Sequence, residues 1–178
     1  FAKAIELFYQ PPRYEAGIHP TAAIHPTAKV TPDAHIGPYV SIDRDVEIGP
    51  KAVLLAHVVI YAGVKIGSNF FAHAHSVVRE NCRIGNNVIL QNGVIIGGDG
   101  YGFAKDEHGR WQKILQSGPT VLEDDVEVQS NSCVDRASVG ETRIARGVKI
   151  DNLAQIGHGS AIGENTLLCA HVGLAGST

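Results

Sequence analysis

The sequence predicts an all-β chain: a parallel β-helix of hexapeptide repeats with a loop inserted into it. Three observations carry this. From Ile18 to Ile96 an aliphatic side chain returns at every sixth position, with Ala72 the one small exception. Four residues after each of these rungs a second small or apolar residue recurs, as at Ala22, Val40, Val58 and Val94, so two positions in each hexad look inward. The position following a rung is often glycine (Gly37, Gly49, Gly67, Gly85, Gly97, Gly157, Gly163), where a left-handed turn of the backbone is expected. Neither a helical period nor a simple alternation reproduces this pattern; one short strand and a turn per hexad does. Three hexads close a triangular coil, and coils stack at the ordinary strand spacing of about 4.8 Å.

Residues 1–10 hold good helix formers with Ala4, Ile5 and Phe8 at helical spacing, and Pro11 and Pro12 stop them. We read residues 1–17 as the end of a preceding domain and a linker. The β-helix domain then runs over residues 18–178. After Ile96 the ladder breaks: residues 97–119 have no hexad phase, carry Tyr101, Phe103 and Trp111, and are too long for an idle connection. The rungs resume at Leu122, Val128 and Val134, two residues out of phase. A second insertion around Ala137 to Arg143 adds four more, and Ile144, Ile150, Ile156, Ile162, Leu168 and Leu174 return to the first phase. Two excursions on a regular scaffold are where a site is expected. The chain begins at Phe1 rather than Met and ends at Thr178 inside the repeat, so it is expected to be a fragment, truncated at its C-terminus.

With 178 residues, 44% of them hydrophobic, the chain has material for one long core. A net charge of −3 without a basic stripe argues against nucleic acid as partner. No run approaches a membrane span, so no integral membrane segment is expected. Cys82, Cys133 and Cys169 lack metal-ligand spacing and read as reduced thiols of a cytoplasmic protein.

Among nine histidines, His19, His25 and His73 follow a rung directly, and His57, His75 and His171 lie three after one; most read as turn residues. His158 differs in context, with Asp151, Asn152 and Gln155 close by in sequence. An imidazole ordinarily titrates at about 6.5 and suits general-base work near neutrality, the competing reading being one more turn histidine. The pair His73 and His75 raises a zinc site as a rival, although a spacing of two does not match the hexad. Asp135 and Arg136 read as a mutual pair at the second insertion and are left out of the site.

The runs Gly97-Gly98-Asp99-Gly100-Tyr101-Gly102-Phe103, Trp111-Gln112-Lys113-Ile114 with Gln116 and Gly118, Val134-Asp135-Arg136, and Lys149 to His158 resemble the UDP-3-O-acylglucosamine N-acyltransferases of lipid A biosynthesis. The chain departs from that pattern at Leu115, Ala137 and Gly159. The resemblance implies a left-handed coil, against the usual right-handed crossover, and a homotrimer with sites between neighbouring prisms. The reaction it implies moves a 3-hydroxyacyl chain from acyl carrier protein to the 2-amine of a UDP-3-O-acylglucosamine. No cofactor is implied, since the carrier's phosphopantetheine holds the acyl donor, and no metal. His158 would be the general base and Gly176 the backbone donor to the oxyanion. Asp151, Asn152 and Gln155 would position sugar or acyl chain and orient the imidazole. Asp99, Tyr101 and Phe103 would shape the substrate mouth, or equally serve their own loop's packing. By the same likeness a uridine-binding domain would precede residue 1, and a supporting histidine, further coils and carrier-binding helices would follow residue 178. The competing readings are a UDP-N-acetylglucosamine O-acyltransferase, a zinc-binding carbonic anhydrase-like trimer and a non-catalytic β-helix.

Overall fold

The computed structural model describes residues 2–5 and 7–178. Every rung lies in a two- to four-residue strand, and those strands form three parallel sheets of eight, eight and seven members. We call them the first, second and third sheets, opened respectively by Gly17–Ile18, Ala23–Ile24 and Lys29–Val30. The register advances by one coil: Ile18 pairs with Ile36 and Ile24 with Ile42. Rungs therefore stack on rungs, and Ile36, Ile42, Leu54, Ile60, Leu90, Ile96, Ile150 and Ile156 are among the fully buried side chains. Each such side chain contributes about 1.5–3 kcal/mol of burial before conformational entropy is charged against it. Ala72 is small because Phe70, the largest fully buried side chain, fills the same coil two residues earlier.

The turn chemistry differs from the expectation. Left-handed residues lie three after a rung, at Tyr39, Asp45, Lys51, His57, Asn69 and onward, with φ between 54° and 66°. Asn, Asp and His tolerate this conformation better than most side chains. Of the glycines expected there, only Gly97 has positive φ. The others are glycine because the next coil presses on them: a Cβ on Gly49 would lie 2.6 Å from the Gly67 carbonyl oxygen, and one on Gly157 would lie 2.6 Å from the Gly176 nitrogen. Gly163 lacks even that constraint, its nearest neighbour being Thr166 Oγ1 at 3.9 Å.

At the N-terminus the helix is Ala2–Ile5, shorter than the expected ten residues; Phe1 and Glu6, within that expected span, lie outside the described residues. Phe8 is 90% exposed, so the helical spacing has no apolar surface to bury against, and so short a helix has little intrinsic stability.

Both insertions leave the prism at one corner. Ile96 and Val134 are second-sheet rungs, stacked beneath Ile156 in consecutive coils. The first insertion projects as an antiparallel hairpin, Phe103–Lys105 against Trp111–Lys113. The second clasps its root: Ser117 N–H donates to the Ser138 carbonyl at 3.2 Å and Gly118 N–H to that of Ala137 at 2.9 Å. Arg136, 5% exposed, does not pair with Asp135. Its guanidinium instead donates to Glu80 Oε1 at 2.7 Å and to the Glu80 carbonyl at 2.5 Å, while Arg79 grips the same carboxylate at 2.7 and 2.9 Å. Among the described residues no helix is long and apolar enough to cross a membrane.

Candidate active site

His158 stands on the corner that carries both insertions, one coil above Val134. The hexad places it two residues past the rung Ile156, where the chain turns toward the third sheet. Its ring lies in a slot between two glycines. A Cβ on Gly176, in the next coil, would sit 2.2 Å from the ring's Cε1, and one on Gly100 would sit 2.6 Å from His158 Cβ. The slot is closed from behind by Ser177 N–H donating to the His158 carbonyl at 2.6 Å and by Gly159 N–H donating to Thr142 Oγ1 at 2.8 Å. The second insertion, which contributes Thr142, thus supports the histidine as well as the hairpin.

A cavity of about 580 Å³ opens over the ring between the hairpin root and the last coils. The structure brings Asp99, Tyr101, Phe103, Gln155, His158 and Gly176 to it together. Asp99 is paired with Lys113 and lies 3.8 Å from Arg79, and the Lys113 hydrogen bond holds its carboxyl below the usual carboxylate range. Tyr101 and Phe103 meet edge to face at 5.2 Å. Both also line an apolar groove of about 480 Å³ that runs past Trp111 and Ile114 along the hairpin. Gln116, buried at the root, accepts from Ser138 Oγ at 2.8 Å and donates to the Ile114 carbonyl at 3.0 Å, which fixes the hairpin over the cavity.

Asp151 and Asn152 are elsewhere within the chain. They occupy the corner between the first and second sheets, where Asp151 Oδ1 accepts from the Asn152 amide and backbone, each at 2.7 Å, and Oδ2 accepts from Ala170 N–H at 3.2 Å. Sequence reasoning missed Lys113 and Asp135, both of which line the cavity. Lys113 lies in the family-like run Trp111-Gln112-Lys113-Ile114, where the resemblance gives it no role. Asp135 directly follows a rung, and only counting the coil through the second insertion reveals that it stacks one level below Gly157. Burial pushes the Asp135 carboxyl up, while the Gln155 amide and the His158 imidazole draw it back down.

His73 and His75 diverge. His75 stacks on His57 at 4.9 Å and His57 on Tyr39 at 5.1 Å, along the corner between the first and second sheets, whereas His73 tilts against Phe71. Among the described residues no three His, Cys, Asp or Glu side chains are grouped so as to hold a metal ion. A cavity of about 590 Å³ on the third sheet is lined by Glu47, Lys65, Arg83, Glu123, Arg146 and Glu164. Two of its charge pairs close within the lining, Lys65 with Glu47 and Arg146 with Glu164, and the lining contains no histidine.

Fold and site define a hexapeptide-repeat β-helix domain with a histidine-bearing cavity at one corner. A family model described as GMPPB C-terminal domain matches residues 18–144, the coils from the first rung through both insertions. UDP-3-O-acylglucosamine N-acyltransferase 1 of Koribacter versatilis is 70% identical over 99% of the chain and 52% of its own length. UDP-3-O-acylglucosamine N-acyltransferase 2 of Gloeobacter violaceus is 55% identical over 99% of the chain and 48% of its own length. A crystal structure of Arabidopsis UDP-N-acetylglucosamine acyltransferase, 22% identical, superposes with a TM-score of 0.77 over 90% of this chain and 55% of that one, and shares the left-handed parallel β-helix. The chain belongs to the family that the model describes, and along nearly its whole length it is similar to proteins named UDP-3-O-acylglucosamine N-acyltransferase. It spans about half the length of those relatives.

Proposed function

We propose that the protein carrying this chain is a cytoplasmic homotrimeric enzyme of lipid A biosynthesis. It transfers a 3-hydroxyacyl group from acyl carrier protein to the 2-amine of UDP-3-O-(3-hydroxyacyl)glucosamine. The observation that carries this is the identity of 70%, along 99% of the chain, with a named N-acyltransferase, in a chain whose His158 stands at the root of the hairpin. The substrate amine attacks the thioester carbonyl of the carrier's phosphopantetheine arm, and His158 removes the amine proton as the C–N bond forms. Gly176 N–H, which has no backbone partner among the described residues, steadies the oxyanion. Collapse of the tetrahedral intermediate breaks the C–S bond, and the thiolate leaves with the proton returned by the imidazolium. Asp99, Tyr101 and Phe103 form the mouth, and the aromatic groove beside them offers apolar surface to an acyl chain.

The faces of the prism support a trimer. Outward positions of the first sheet read Val53, Phe71, Ile89 and those of the second Val59, Val77, Ile95, whereas the third sheet carries Lys29, Glu47, Lys65 and Arg83. Two apolar faces meeting at one corner suit a threefold contact, with the charged face left to water. Such packing sets the corner of Asp151 and Asn152 against a neighbouring copy, which is where these residues would reach substrate. Cytoplasmic placement is supported by three free cysteines.

The test is mass spectrometry of the product formed by the full-length protein from 3-hydroxyacyl carrier protein and each of two acceptors. Gain of one acyl group on UDP-3-O-acylglucosamine alone is expected. Gain on UDP-N-acetylglucosamine alone would move the assignment to an O-acyltransferase.

A further inference from the structure

We infer that Asp135 is a positioning residue of this site, its carboxylate fixing the orientation and tautomer of the His158 imidazole from the coil below. This rests on the reading of His158 as the base. Asp151, expected to orient the ring, is engaged by Asn152 and by Ala170 N–H at another corner. Asp135 lines the same cavity as His158, and the stacking of Val134 under Ile156 sets them in adjacent coils at one corner. Its backbone is held on both sides: Thr120 Oγ1 donates to the Asp135 carbonyl at 3.2 Å, and Arg136 N–H donates to the Gly98 carbonyl at 2.8 Å. The buried Arg136 guanidinium on Glu80 anchors the segment one coil further down. Gly98 pairs with Asp135 from the coil below, and a Cβ on Gly98 would lie 3.7 Å from Asp135 Oδ1, which places the carboxylate over that glycine.

Two other charged groups at the cavity, Asp99 and Lys113, are paired with each other, so Asp135 is the cavity's acid without an ion-pair partner among the described residues; the Gln155 amide holds its carboxyl on one side and the His158 imidazole acts on it through charge. A carboxylate beside an imidazole selects which ring nitrogen keeps its proton and leaves the other to accept one. Asp135 touches no reacting atom in this arrangement; it acts through His158.

The experiment is a double-mutant cycle in the full-length protein, with Asp135→Asn, His158→Ala and both together. Asp135→Asn is expected to lower kcat by about ten- to a hundredfold while KM stays within about twofold and thermal unfolding is unchanged. In the His158→Ala background the same substitution is expected to have no further effect, since its path is gone. A rise in KM alone would make Asp135 a substrate contact and overturn the inference, as would an equal loss of kcat in both backgrounds. His158→Ala inactive with Asp135→Asn unaffected would sink only this inference, whereas turnover retained by His158→Ala would sink the base itself.

Discussion

At the scale of single residues, the corner owes its shape to one carboxylate. Glu80 receives hydrogen bonds from Arg79 and from the buried Arg136, and the Arg79 contact, with burial opposing it, brings its pKa down to about 2 from an ordinary 4.5. A lowered folded-state value stabilises the fold above the unfolded-state pKa, and that contribution is lost as pH falls through about 2. Glu80→Gln is therefore expected to destabilise the protein at neutral pH by roughly 1.5–3 kcal/mol, the range for hydrogen bonds to charged groups. Urea unfolding of variant and parent should converge as pH drops from about 4.5 toward 2. A gap that persists at pH 2 would mean that Glu80 acts by packing alone.

At the scale of the repeat element, the glycine after the rung is a matter of clearance between coils. Gly49→Ala puts a methyl 2.6 Å from backbone of the next coil, whereas Gly163→Ala meets nothing closer than 3.9 Å. The first is expected to cost about 1–3 kcal/mol and the second close to nothing, both being read by thermal unfolding. Equal losses would return the explanation to turn conformation. The element was legible in the sequence because two inward positions repeat over so many hexads that no single substitution, not even Ala72, hides the period. The reason for its glycines was not legible. A hexad shows which residue recurs, but not that the residue eighteen positions on lies against it.

For the whole molecule, the faces are sorted over the middle coils: apolar on the first and second sheets at Val53 to Ile95, ionic on the third at Lys29 to Arg83. Val77, between Val59 and Ile95 in the second sheet, belongs to the surface assigned to the trimer. Val77→Glu is expected to yield folded monomers by sedimentation with activity lost. A trimer of normal mass would place the interface elsewhere. The candidate site was half legible at this scale. His158 and the Asp99–Phe103 loop stand out as motif, yet Asp135 reads as a mutual pair with its neighbour Arg136, and the second insertion disguises its place beneath Gly157.

Those insertions share a corner, and the corner residues Arg79, Gly97, Asp135, Gly157 and Ala175 each follow a second-sheet rung on consecutive coils. Five levels enclose four intervals, or ~19 Å at ~4.8 Å per strand spacing. The dimension of the site along the axis is thus quantised by the backbone rather than set by side-chain length. A bound molecule lying along that corner meets the backbone at fixed steps, and the site can lengthen or shorten only by a whole coil.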